Sequence, residues 1–228
     1  MAYVGQTRCA CPATHRKGCV RGRLAAFRYD GGRVLGECTQ RNELPPRRTP
    51  WFLDNGAFRD WLNGKPFDTA RWADAIAAAR AFPTPPDFVV APDLVAGGWA
   101  SLEVPVESVG ALAGLRPYLV AQDGMEADVD RVACTVTDHG FAGLFVGGSL
   151  PWKRATAGVF TGLARRLGVP CHIGRVGNLQ RVRWARELGA TSIDSSAPLW
   201  DERGLRAFFG ALQETDQSML FNNPADEA

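Results

Sequence analysis

From about residue 50 onward the chain alternates short apolar runs with amphipathic stretches. Residues 51–53, 88–91, 117–121, 143–146, 171–173 and 191–193 are continuous runs rather than alternating ones, as expected of strands covered on both faces. The stretches between them carry helical spacing. Asp68 is placed to cap a helix with Trp72, Ile76 and Ala79 on one face and Pro83 as its stop. Val129, Val132 and Val136 mark a second helix ended by Gly140, and Val159, Phe160, Leu163 and Leu167 a third ended by Gly168. Asn178 opens a fourth with Leu179, Val182 and Leu188 on its inner side. This order predicts repeated βα units around a parallel sheet.

Polar or glycine-containing residues follow each run: Asp54-Asn55-Gly56, Pro92-Asp93, Gln122-Asp123-Gly124, Gly147-Gly148-Ser149, Gly174-Arg175-Val176-Gly177 and Asp194-Ser195-Ser196. Loops converging on one mouth favour a (β/α)8 TIM-like barrel over an open doubly wound sheet. No G-x-G-x-x-G follows a first strand and no Walker-type loop occurs. One barrel over residues 1–214 is expected, with 1–50 supplying the first strand and an irregular extension. Residues 45–50 read as a loop into the second strand. Residues 215–228 read as a polar tail, in which Met219, Leu220 and Phe221 are the only candidates for a short element.

Composition narrows the class. The 228 residues are 46% hydrophobic, enough for one full core, and 26 basic against 24 acidic residues leave a charge of +2, so any nucleic-acid surface must be local. No apolar run reaches the roughly 18 to 20 residues of a membrane span, and residues 1–7 lack a signal-peptide core; the expectation is a cytoplasmic protein with no membrane partner. Six cysteines are unevenly spaced and read as reduced thiols. Cys9, Cys11, Cys19 and Cys38, with His15 nearby, fit no standard zinc template, and partly buried thiols are the preferred reading over a zinc site.

Three aspartates, Asp54, Asp93 and Asp194, end strands far apart in sequence and meet in a barrel mouth. Each alone is explained by an Asx turn or a helix cap. Together in a partly desolvated mouth, carboxylates drive their pKa values apart, leaving one ionised nucleophile and one proton carrier.

Six strand-end motifs, in order, carry a resemblance: residues 53–58 (LDNGAF), 90–93 (VAPD), 119–124 (LVAQDG), 142–148 (AGLFVGG), 172–177 (HIGRVG) and 192–196 (SIDSS). This series resembles the tRNA-guanine transglycosylase superfamily, over about residues 51 to 196. The resemblance implies base exchange at a nucleoside. Asp194 then corresponds to the nucleophile that attacks the anomeric carbon, and Asp54 to the general acid/base. Asp93 corresponds to the reader of the base's amidine edge, and Gln122 with Gly143 and Leu144 to the groups holding the base carbonyl. Gly147 and Gly148 let backbone approach a planar base, although for Gly148 a tight strand-to-loop turn explains the residue equally well.

The family's C-x-C-x-x-C metal motif after the nucleophile strand is absent, its glutamate after Val-Gly is replaced by Gly148, and Ser195-Ser196-Ala197 stand where basic residues follow the nucleophile. The chain is therefore most similar to compact members that insert 7-deazaguanines into DNA. The expectation is a DNA guanine transglycosylase with a deazapurine base as co-substrate and no redox or phosphate cofactor. A tRNA-acting relative is the alternative, followed by a base or glycoside hydrolase and by a non-catalytic nucleic-acid-binding barrel.

Phosphate contacts would fall to local cations: Lys153, Arg154, Arg175 and Arg59, with Arg47 and Arg48 near the first aspartate. Arg181, Arg183 and Arg186 read equally as a solvated helix face. Trp152 is read as rim packing in preference to a stacking platform, and His172, inside a strand, as a satisfied interior histidine in preference to a catalyst.

Overall fold

The computed structural model describes residues 1–5, 35–43, 50–196 and 202–213. Its eight strands are β1 (Ala2–Gly5), β2 (Leu35–Gln40), β3 (Trp51–Asp54), β4 (Val89–Val90), β5 (Pro117–Ala121), β6 (Gly143–Val146), β7 (Cys171–Ile173) and β8 (Ser192–Ser195). All neighbours are parallel, and β8 pairs back onto β1 with Tyr3 opposite Asp194, closing a (β/α)8 barrel. Around it lie α1 (Ala57–Leu62), α2 (Thr69–Ala81), α3 (Glu103–Ser108), α4 (Val129–Asp138), α5 (Leu150–Leu167), α6 (Leu179–Glu187) and α7 (Glu202–Gln213).

The expected caps form: Asp68 and Asn178 each accept from the backbone N–H three residues on, as Asp128 and Ser149 also do, and Gly168 ends α5 in the left-handed region. One stripe is corrected: α5 buries Phe160, Leu163 and Ala164, whereas Val159 is 40% exposed, because adjacent helical residues lie about 100° apart and cannot share a narrow face.

The first 50 residues supply two strands, not one. The run from Leu35 to Gln40 does not read as apolar because alternate positions are Glu37 and Thr39, both buried polar residues. The segment 45–50 accordingly precedes β3. Helix α7 also has no counterpart in the periodicity reading. Met219, Leu220 and Phe221 lie outside the described residues.

Strand alternation sorts side chains into two cores. Ala2, Trp51, Leu53, Val89, Leu119, Leu144, Val146, Ile173 and Ile193 face outward and pack with the helices. Tyr3, Cys38, Phe52, Phe88, Val90, Tyr118, Val120 and Phe145 fill the barrel. Inside, Phe88 stacks on Phe52 and Tyr118 with centroids 4.5 and 4.0 Å apart, and His172 stacks on Phe145 at 4.8 Å. This aromatic plug keeps water out of the barrel below the C-terminal strand ends, where the next inward positions are polar.

Candidate active site

Those next positions are Asp54 on β3, Gln122 after β5, Gly147 after β6 and Asp194 on β8. With Asp93 and Arg175 they line one cavity of about 60 Å³, walled by Val90, Val120, Phe145 and Phe58. A second cavity shares Asp54, Phe58, Arg175 and Asp194, and adds Cys38, Arg59 and Ser196. The fold thus brings together all three aspartates.

Local turns fix each of them. Asp54 Oδ1 accepts from the N–H of Gly56 at 2.7 Å, an Asx turn that leads directly into α1. Asn55 Nδ2 donates to the carbonyl of Ala91 and to Asp93 Oδ1, both at 2.7 Å, and its Oδ1 accepts from the N–H of Ala57. Gln122 Nε2 donates to Asp93 Oδ2 at 2.5 Å. Asp93 is therefore a buried carboxylate held by an amide on each oxygen. Asp194 Oδ1 accepts from His172 Nε2 and from the N–H of Arg175, each at 3.0 Å. Among the described residues no hydrogen bond reaches Asp194 Oδ2.

The two candidate catalytic carboxyls are biased in opposite directions. Burial pushes Asp54 up to about 6, against the Gly56 hydrogen bond and with help from the charges of Asp194 and Asp93. Burial also acts on Asp194, but His172 and the Arg175 N–H outweigh it and hold Asp194 below the usual carboxylate range. Asp93 is raised, chiefly by burial, with Asn55 and Gln122 opposing. Below about pH 6 this leaves one neutral and one ionised carboxyl, the arrangement that acid/base chemistry with a carboxylate nucleophile requires.

Arg175 roofs the cavity. Its guanidinium lies 3.8 Å over the Phe58 ring and donates to the Gly148 carbonyl at 2.5 Å. Its backbone φ is 58°, in the left-handed region that costs a non-glycine residue of the order of 1–2 kcal/mol. That conformation directs the Arg175 N–H at Asp194 while the side chain crosses the mouth. This cavity is small beside the roughly 300–1,000 Å³ of ligand pockets, whereas the adjoining one, which shares Asp54, Arg175 and Asp194, holds about 540 Å³.

Several expected contacts are corrected. Gly143 sits at the N-terminal end of β6, where a Cβ would meet the Tyr118 ring at 2.7 Å and the Pro170 carbonyl at 2.9 Å. It is small for packing at the barrel floor and does not reach the mouth. Leu144 points outward into the helix-facing core and is fully buried. Gln122, which lines the cavity as expected, commits one Nε2–H to Asp93 and keeps a second amide N–H, while its buried Oε1 is unpartnered among the described residues. Lys153, expected on a nucleic-acid surface, is 2% exposed and donates to the Gly174 carbonyl at 2.5 Å. Burial, with the Arg175 charge, pulls its ammonium down to about 7. Gly148 is explained by its turn: its φ is +49°, and a Cβ would stand 2.2 Å from the Trp152 ring.

Arg154 is exposed and Arg59 is half exposed, 3.9 Å from Glu43. Trp152 packs at 5.4 Å on Phe160 and donates to Glu126, as rim packing predicts. Cys38 lies inside the barrel. Cys9, Cys11, Cys19, His15, Arg47 and Arg48 lie outside the described residues, and among the described residues no cluster of three metal-ligating side chains occurs.

His172 is satisfied at both nitrogens, Nδ1 meeting Ser192 Oγ at 2.8 Å and Nε2 meeting Asp194. Sequence reasoning assigned no role to Asn55 or Ser192. The alternation of β7 and β8 was the available signal, since it turns His172, Ser192 and Asp194 to the same interior.

No family model and no curated protein matches this sequence. Among solved structures the chain is similar to protein CitE from Mycobacterium tuberculosis, in complex with magnesium and pyruvate. That match has a TM-score of 0.51 and 15% identity, over 96% of this chain and 94% of that one. A protein of Agrobacterium tumefaciens assigned as a glycerophosphoryl diester phosphodiesterase aligns with a TM-score of 0.48 and 10% identity, over 72% of this chain. This chain spans 60% of the phosphodiesterase's length. The CitE likeness supports the barrel fold.

Proposed function

We propose that this protein is a guanine transglycosylase acting on DNA, exchanging guanine for a 7-deazaguanine base through a covalent aspartyl–sugar intermediate. The observation that carries this reading is the pair of oppositely biased carboxyls, Asp54 and Asp194, in one cavity with the amide-anchored Asp93.

The geometry supports the following roles. Asp194 Oδ2 attacks the sugar C1′, and the C1′–N9 bond breaks as an oxocarbenium-like state is stabilised by the carboxylate. Asp54, protonated below its pKa of about 6, gives its proton to the departing guanine and becomes the base for the incoming one. The new base loses its N9 proton to Asp54 and attacks C1′, and the C1′–Oδ2 bond breaks. Two displacements retain configuration. Asp93 has lone pairs beyond those engaged by Asn55 and Gln122, and these suit the paired N–H donors of a 2-aminopurine edge. The base must leave its stack to reach this cavity, and the exposed Arg175 and Arg59 of the cavity linings, with Arg154 exposed on the first turn of α5, are the candidates for phosphate contact.

Incubating the protein with radiolabelled guanine and duplex DNA, single-stranded DNA or bulk tRNA tests the reading, with Asp194→Ala as control. Label entering DNA alone, and lost in the variant, is the expected result. Label entering tRNA alone would replace the polymer, and release of free guanine without uptake would make the protein a hydrolase.

A further inference from the structure

Lys153 is a buried cation without an ion-pair partner among the described residues, and the reaction outlined above does not use it. Its Nζ donates to the carbonyl oxygen of Gly174. The N–H of Arg175, which donates to Asp194 Oδ1, belongs to the same peptide unit. In a planar trans peptide the C=O and N–H point to opposite sides. The ammonium and the aspartate therefore grip one amide from its two ends, and a cation on the oxygen polarises the N–H that faces the carboxylate.

A second arm reaches the same oxygen. Ionised Asp194 is acceptor-only, so His172 Nε2 carries the proton of that 3.0 Å contact. In a neutral imidazole Nδ1 is then an acceptor, and Ser192 Oγ must donate to it across 2.8 Å. Burial holds His172 neutral by lowering its pKa, with Asp194 opposing. Both arms end on Oδ1, and each is backed by a buried donor.

We propose that Lys153 and His172 are positioning residues of one clamp, which holds Asp194 by Oδ1 through the Gly174–Arg175 peptide and the imidazole and leaves Oδ2 as the reacting oxygen. Neither touches the reacting atoms. The proposal rests on Asp194 being the nucleophile of the proposed exchange, but the clamp itself is readable without turnover.

The test is a carbon-13 NMR titration of aspartate side chains in the full chain, with Asp194 assigned from Asp194→Asn. It is run on wild type, Lys153→Met and His172→Asn, beside the base-exchange assay. Lys153→Met keeps the length of the stem and removes a buried charge, and Ser192→Ala reads the imidazole arm should His172→Asn not fold. Lys153 is faced by Arg175, Arg181, Asp194 and Asp123. The wild-type Asp194 signal should show a second inflection near pH 7 from Lys153, absent in Lys153→Met. Both clamp variants should raise the Asp194 pKa by about one unit or more, and cut the exchange kcat at least about tenfold with KM for the free base within twofold. An unmoved Asp194 titration in folded variants overturns the clamp. A shifted titration in a protein that exchanges no base upholds the clamp and removes the transglycosylase reading instead.

Discussion

Asp54 and Asp194 hold the last inward positions of β3 and β8, line the same cavity above the aromatic plug and are both partly buried, yet their protonation is biased in opposite directions. The difference lies in the donors each strand end supplies. Asp54 takes one backbone N–H from its own Asx turn. Asp194 takes an imidazole and a backbone N–H from the neighbouring β7 turn. Burial alone raises a carboxyl, and two converging donors reverse that. Chemical role in this mouth is therefore set by the neighbouring strand more than by the aspartate itself.

The comparison breaks most severely at the nucleophile. Asp194→Asn should abolish the covalent adduct and reduce exchange by at least about a thousandfold, measured by trapping on denaturing gels, because an amide in place of the proposed nucleophile forms no ester bond with the sugar. Asp54→Asn should follow, with a loss of roughly 10²–10⁴-fold in exchange. In wild type, single-turnover guanine release should fall as pH rises through about 6, where Asp54 loses its proton, and incorporation of the new base should fall as pH drops through the same value. Both limbs should vanish in the variant.

The same substitution carries a stability signature. The unfolded carboxyl titrates at 3.8 and the folded one near 6, so between those values the native state binds more protons. Native stability therefore declines as pH rises from about 4 to 6 and stays lower above. Asp54→Asn removes that cost and should gain of the order of 2 kcal/mol at pH 8 in urea unfolding, with little change at pH 3.5.

Leu144→Ala probes the outward-facing core. It should lose about 2–5 kcal/mol of stability through a cavity between β6 and the helices, while kcat and KM of the folded fraction stay near wild type. The smallest effect concerns the roof. Arg175→Ala and Arg175→Gly both remove the guanidinium, but only glycine relaxes the φ of 58°, so the glycine variant should be more stable by about 1 kcal/mol. Equal stabilities would mean that the left-handed turn at Arg175 carries no strain.

Legibility in the sequence followed the physics of each element. Five of the six runs from residue 51 on overlap their strands closely because both faces of those strands are apolar. Strand β2 escaped because Glu37 and Thr39 occupy its outward positions. Asp54, Asp93, Gln122, Gly147 and Asp194 were found as strand-end residues, and the closed barrel brings all five to one cavity. Gly143 and Leu144 were assigned to the mouth by motif, although the two-residue alternation through Phe145 already excluded Leu144, and the height of Gly143 in the barrel excluded the other. Lys153 was assigned by its charge and its neighbour Arg154, and a one-residue step around α5 separates the exposed cation from the buried one.

What the sequence determined by itself is local: apolar runs and helical stripes that βα units satisfy, helix starts at Asp68 and Asn178, and aspartates at strand ends. These depend on residues within a few positions of one another. What the tertiary structure decided is which distant donors meet which carboxylate. His172, Arg175 and Lys153 act around Asp194, and Asn55 and Gln122 around Asp93, across hydrogen bonds spanning 19 to 38 residues. Hydrogen-bond geometry and desolvation are fixed by barrel closure and strand register, and a linear pattern does not contain them.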